Sequence, residues 1–386
     1  MSRIENQRRL FLELLEELRP HWRKDPGLPK RLTAWLADHR AGSRDRRLYR
    51  ELAYTTWRIL PWIEDATPET VVGRVARHAQ RTDDTSAFID QFASDSAEPP
   101  HSPNSLLPDW LESQNRDIFE LVQRDALLSR APLWIRLQTT NHDAVAAEFT
   151  EHGIPFEPSK SVDGAWKIPA QTKITQTQAY QNGLYEVQDI GSQALLLSLS
   201  SPLAGNWLDA CAGAGGKTLQ LAGKLLPTGG TVTAYDVRRS ALRELGSRQK
   251  RAKLSNITID PSPTGHFDGV LVDAPCTGSG TWRRSPHLKW TTTTDGISRA
   301  HERQLLILAK FAHRVKIGGL LVYATCSLCR EENEKVVESF RQSHPAFRPE
   351  PLRHPVSNDT LADGQLTLLP ADLDSDAYFL AAFRRT

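Results

Sequence analysis

Two cysteines stand where apolar runs end: Cys276 in "LVDAPCTGSG" and Cys326 in "LVYATCSLC". A thiol in such a place can attack carbon as a thiolate, ligate zinc, exchange electrons with a second thiol, or fill a small buried space. Zinc asks for about four ligands. Cys326 and Cys329 offer two, with no His-x-His or second Cys pair nearby. A C-x-x-C redox pair belongs to a different fold position. Cys329 is expected on the first turn of the following helix, as a small buried group. Attack on carbon then stands against a structural role for Cys276 and Cys326.

One reaction needs such thiols. C5 of cytosine is a poor nucleophile towards a methyl sulfonium. A thiolate added to C6 makes C5 enamine-like, and C5 can then take the methyl group. The C5 proton leaves and the thiol is eliminated. Asp273, just before Cys276, would hold the pyrimidine edge, and a second thiol would assist elimination. Local chemistry does not choose between the two cysteines.

A second constellation is "LDACAGAGGKT" (208–218), which follows a strand and opens a helix. Glycines let a ligand approach the backbone closely. A P-loop would need glycine at 211, where Cys211 stands, and G-x-G-x-x-G fails at Thr218. A phosphate cradle is therefore disfavoured. Asp236, ending the next strand about twenty residues on, is placed to accept from ribose hydroxyls. S-adenosylmethionine, a ribose-bearing cofactor without phosphate, fits both features. The competing reading is an ordinary strand–turn–helix with a surface acid.

The elements that must position these residues are legible. Residues 205–386 alternate strand and helix, which implies a parallel sheet covered on both faces. Its carboxyl-end crevice would hold both thiols. Residues 131–180 read as a small α+β unit, with Asn141 capping a helix and Gly153 stopping it. Residues 1–80 read as helices, with Leu10, Phe11, Leu14, Leu15 and Leu18 on one stripe. Residues 81–130 read as linker and helix; 81–105 mix acids, Ser and Pro.

The 386 residues predict two or three domains. Hydrophobic residues make up 39% and charged residues 24%, a globular composition without a membrane span or signal-peptide core. A cytoplasmic location and a monomeric state are the default expectations. Net charge is only +2, but residues 1–60 carry fourteen Lys/Arg against eight Asp/Glu. Residues 237–253 and 281–290 are basic too, which suits a polyanion such as RNA.

"VQDIGSQ", "LDACAGAGGKT", "VLVDAPCTGSGTWRRSPHLKW" and "LVYATCSLCREENEKVV" occur in that order. Over about 130–386 they resemble the Sun/Fmu-type RNA cytosine-C5 methyltransferases. Residues 1–80 more faintly resemble the NusB-like helical domain found in such enzymes. The resemblance implies a class I methyltransferase, Rossmann-like seven-stranded sheet (181–386), in the order three-two-one-four-five-seven-six with an antiparallel last strand. It implies that Cys211, Ala212, Gly213, Ala214, Gly215, Gly216 and Lys217 wrap S-adenosylmethionine. Asp236 would bind its ribose, Asp260 would lie beside the adenine, and Asp273 would sit at the methyl and base end. It matches Cys326 to the covalent nucleophile and Cys276 to the thiol that releases the product. The 131–180 unit would bind RNA, with small-subunit ribosomal RNA the family-level substrate and no metal needed. Three departures stand out: "AGAGGK" for "AAPGGK", Arg330 for a frequent proline, and "DAYFLAAF" for an Asp-Gly-Phe-Phe pattern. A different class of function remains as an alternative: a non-catalytic RNA-binding or antitermination factor on a methyltransferase fold.

Overall fold

The computed structural model describes residues 2–93, 102–170 and 172–386. The chain forms two compact units, Met1–Leu128 with Trp282–Thr293, and Ser129–Thr281 with Thr294–Thr386.

The second unit begins with a small antiparallel sheet. Its strands are β1 (Leu133–Leu137), β2 (Glu157–Pro158), β3 (Ala165–Ile168) and β4 (Tyr185–Val187), in the order β2-β3-β1-β4. The Asn141 side chain accepts from the Ala144 N–H to open helix His142–Glu151, and Gly153 follows it at φ 61°. The predicted boundary at 180 falls too early, because β4 completes this sheet against β1. Three residues with no visible alternation left β4 unreadable.

"VQDIGSQ" belongs to the same clamp. Buried Gln188 accepts from Arg136 Nε of β1 at 2.7 Å and donates to Gln220 of helix Gly216–Leu225 at 2.9 Å. Buried Glu186 of β4 pairs with Arg248 and Arg251 of helix Arg239–Ala252. The small sheet is thus locked onto the larger one, and part of the 237–253 basic run is spent internally.

The large sheet holds β5 (Asn206–Asp209), β6 (Thr231–Ala234), β7 (Ile257–Ile259), β8 (Phe267–Asp273) and β9 (Val315–Thr325). It continues with β10 (Phe347–Pro349); β11 (Leu352–Arg353) and β12 (Thr360–Leu361) pair apart from it. β13 (Gln365–Leu368) and β14 (Tyr378–Arg385) complete it. The order is β10-β14-β9-β8-β5-β6-β7, with β14 antiparallel to β9. This is the class I methyltransferase order. The sheet has eight strands rather than seven, because β10 and β13 share the outer edge of the long β14. Alternate residues enter two cores. Trp207, Leu271 and Val322 enter one, and Leu208, Val272 and Tyr323 the other.

The first unit is helical. Its longer helices are Arg3–Leu18, Leu28–Asp38, Ser43–Arg58 and Pro68–His78. Ser2 caps the first by accepting from the Glu5 N–H, and Thr67 caps the fourth ahead of Pro68. Phe11, Leu14, Leu15 and Leu18 are buried with Trp35, Leu52, Trp57 and Phe88, while Leu10 is only partly covered. Phe88 lies on helix Ser86–Phe92, inside the expected linker. That helix and Leu106 belong to the core, so the linker reading is corrected there. Hydrophilic neighbours masked one buried aromatic. Residues 94–101 of the expected linker lie outside the described residues.

Residues Trp282–Thr293 also belong to the helical unit. Trp290 joins its core and donates from Nε1 to the Trp57 carbonyl at 2.6 Å. Lys289 Nζ donates to the carbonyls of Arg58 and Leu106 at 3.1 and 2.8 Å. Arg58 in turn donates to the Arg283 carbonyl at 3.2 Å. Arg283 and Lys289 are 3% and 2% exposed, so this stretch is not the basic surface its composition predicts. Burial pushes the Lys289 ammonium well below its ordinary pKa. Among the described residues, no helix is long and apolar enough to cross a membrane.

Trp290→Ala should destabilise the helical unit by about 3 kcal/mol, since it leaves a large cavity and an unmet carbonyl. Trp290→Phe should cost about 1–2 kcal/mol, and urea denaturation checks both.

Candidate active site

The carboxyl ends of β5, β6, β8 and β9 carry the chemistry-bearing residues. After β5 the chain turns through Cys211–Gly215 into helix Gly216–Leu225. Gly213 and Gly215 adopt φ 54° and 94°, left-handed values that disfavour a side chain. A Cβ at Gly215 would also approach the Leu245 side chain to 2.8 Å. At Gly216 a Cβ would meet nothing within 4 Å, so the turn is open there.

Asp236 faces the same turn. One carboxylate oxygen accepts from the Gly213 N–H at 2.8 Å and Arg238 Nη2 at 3.0 Å. The other accepts from the Arg238 N–H and Nε at 2.8 and 3.0 Å. Burial alone would raise its pKa. The hydrogen bonds from Arg238 and Gly213 outweigh that and hold it below the usual carboxylate value. Asp260, just after β7, is half-buried and accepts from the Ser262 N–H at 2.8 Å. Its side chain holds its own turn.

Lys217 leaves the glycine turn in another direction. Its Nζ lies 2.9 Å from Asp273 Oδ2, with only 8% of the side chain exposed. Burial opposes its charge, but the Asp273 carboxylate and its hydrogen bond prevail and raise the Lys217 pKa. Asp273 ends β8, and its register partner on β9 is Ala324.

The two candidate thiols follow those strand ends. Cys276 Sγ and Cys326 Sγ lie 3.4 Å apart, and both residues are half-buried. The hydrogen bond to Cys326 pushes the Cys276 pKa well up, and burial and the charges of Cys326 and Glu332 add to it. Cys276 therefore holds its proton tightly. Burial and nearby Asp209, Asp273 and Asp236 also raise Cys211, which excludes it as a ready thiolate. Cys329 is buried and pushed up to about 12, chiefly by burial. It precedes helix Glu334–Ser343 instead of lying on its first turn.

The structure thus gathers Cys276, Cys326, Asp273 and Lys217 into one cluster, and Gly213 and Asp236 into a second beside it. Two buried carboxyls escaped the sequence reading. Asp209 ends β5 and accepts from Thr218 Oγ1 at 2.7 Å and the Cys211 N–H at 3.3 Å. Burial pushes it up to about 7, with the Asp273 charge adding. Glu332, in "REEN", is fully buried between the two thiol loops. Only Asp209, an acid closing an apolar strand, left a readable signal. Among the described residues, no cluster of metal-ligating side chains occurs.

Residues 197–384 match the family described as 16S rRNA methyltransferase RsmB/F. Over these residues the chain belongs to that family. It is 32% identical over 297 residues to the probable ribosomal RNA small subunit methyltransferase B of Bacillus subtilis (strain 168). That match covers 73% of this chain and 66% of the relative, so the chain spans just under two thirds of it. The crystal structure of PH0851 aligns with a TM-score of 0.72 at 23% identity, covering 92% of this chain and 93% of that one. NSun6 from Pyrococcus horikoshii with SFG aligns with a TM-score of 0.62 at 16% identity, covering 72% and 98%. At these identities the likeness shows the fold.

The raised Asp209 has a consequence for stability. A carboxyl raised from 3.8 to about 7 binds more protons folded than unfolded between those values. Its contribution is whole below pH 3.8 and is lost as pH rises through about 7. Asp209→Asn, which does not titrate, should therefore gain stability relative to wild type from about pH 4 to 7 and level off above. Urea denaturation of both proteins across that range measures the difference.

Proposed function

We propose that this chain transfers a methyl group from S-adenosylmethionine to C5 of a cytosine in RNA, through a Cys326–C6 adduct released with help from Cys276. The single observation that carries this reading is the pair of thiols 3.4 Å apart, beside the Asp273–Lys217 pair at neighbouring strand ends. An amine acceptor would need no thiol. The names of the curated relatives support small-subunit ribosomal RNA as the substrate.

The glycine turn suits the cofactor. It offers open space at Gly216, a carboxylate at Asp236 to receive hydroxyls, and no phosphate-binding motif. Residues Cys211–Lys217 and Asp236 would hold S-adenosylmethionine, with Asp260 towards the adenine. When bound, it supplies an electrophilic methyl group.

The side chains then divide the reaction. Cys326 is assigned the attack, because Cys276 is held protonated by burial and by the hydrogen bond the two sulfurs share. The Cys326 thiolate adds to C6 and forms the S–C6 bond. The displaced electron pair moves into the ring, whose polar edge faces Asp273 and the Lys217 ammonium. C5 becomes nucleophilic and takes the methyl group. Solvent water takes the C5 proton, and the electron pair of that C–H bond restores the C5–C6 double bond as S–C6 breaks. Cys326 departs as a thiolate, stabilised by the hydrogen bond from Cys276. The basic residues of the N-terminal helices would attract the RNA electrostatically.

Cys326→Ala should abolish methyl transfer to ribosomal RNA from a deletion strain. Cys276→Ala should accumulate an RNA–protein adduct visible on a denaturing gel. Methylation by Cys326→Ala at the wild-type rate would sink the assignment. Failure of the wild-type chain to bind labelled S-adenosylmethionine while binding RNA would favour the non-catalytic alternative.

A further inference from the structure

The geometry points to Glu332 as the positioning residue that holds both thiols in register. It lies in neither strand and touches neither sulfur. It is fully buried, and four donors converge on its carboxyl group. One oxygen accepts from the Thr277 N–H and from Gln304 Nε2, both at 2.9 Å. The other accepts from the hydroxyls of Thr277 and Ser327, both at 2.5 Å. Thr277 adjoins Cys276, and Ser327 adjoins Cys326. One carboxyl therefore ties the residue after each thiol to a common point.

The neighbours extend this tie. Gln304 also donates to the Pro275 carbonyl at 3.1 Å, so Cys276 is held from both sides. Asn333 accepts from the Thr325 hydroxyl at 2.6 Å and donates to the Ser327 carbonyl at 2.9 Å, which holds Cys326 from both sides. The Gly280 N–H donates to the Cys326 carbonyl at 2.9 Å, and the Leu328 N–H to Ser279 Oγ at 2.8 Å. The Tyr323 hydroxyl donates to the Glu332 carbonyl at 2.5 Å and anchors the clamp to β9. A buried acceptor met by four donors is held firmly, and each donor would be costly to strand. Thiol spacing needs this, because proton sharing and sulfur attack both weaken steeply with distance.

The catalytic meaning of the clamp rests on the reading of Cys326 and Cys276 above, so its test has an arm that does not. Glu332→Gln keeps the side-chain shape but replaces one accepting oxygen with an NH2 group facing donors. Diamide oxidises two close thiols to a disulfide. The sulfurs join, and two protons and two electrons pass to the azo bond, giving a hydrazine. In the full-length chain, mass spectrometry should show Cys276–Cys326 disulfide formation slowed about tenfold or more by Glu332→Gln. In single turnover the same variant should accumulate the RNA adduct, as Cys276→Ala does, with S-adenosylmethionine affinity and circular dichroism unchanged. Should Glu332→Gln not fold, Thr277→Val and Ser327→Ala carry the same measurement. Disulfide rates within twofold of wild type in the folded variants would overturn the inference. A tenfold slowing with methyl transfer independent of Cys326 would uphold the clamp and reject the proposed reaction.

Discussion

The pairing of β8 with β9 sets the rest of the site. Parallel neighbours end on the same edge, and the register places Asp273 opposite Ala324. Each strand therefore delivers its loop to the same place, and each loop begins with a thiol within a few residues. A slip of one residue would turn every alternate side chain to the other face. The two cores would exchange Leu271 for Val272 and Val322 for Tyr323. Register is thus fixed by burial on both faces, far from the sulfur atoms it aligns.

Four carboxyl groups line this edge, and their partners give each a different character. Asp236 is held charged by Arg238 and Gly213. Asp273 shares a buried ammonium with Lys217. Asp209 has hydroxyl and amide donors, and burial pushes it towards its neutral, protonated form. Glu332 serves as a knot between loops. The same functional group thus acts as acceptor, counter-ion, proton holder and tie, according to burial and the nearest donor.

The large sheet was legible because its strands are apolar runs bounded by glycine and polar turns, and their ends could be placed over one crevice. That placement is what marks the thiols, Asp236 and Asp273 in the sequence. The direction of Lys217 was not readable, since it sits in a glycine turn and its partner is 56 residues away. Glu332 looked like one acid among several in "REENEK". Only the three-dimensional meeting of Thr277 and Ser327 distinguishes it. β4 and β13 were missed as short strands whose pairing comes from neighbours rather than from pattern. The segment 281–290 misled by composition, because a lysine can be buried where carbonyl oxygens receive it.

Trp282–Thr293 completes the helical core from a point late in the chain. During synthesis the helices are made first, yet the space for Trp290 stays unfilled until four of the large sheet's eight strands have also emerged. The N-terminal part therefore waits, partly finished, for a piece of polypeptide made after β8. No single cut of the backbone yields both units whole, and the helical unit is finished only after the second unit is already part-made.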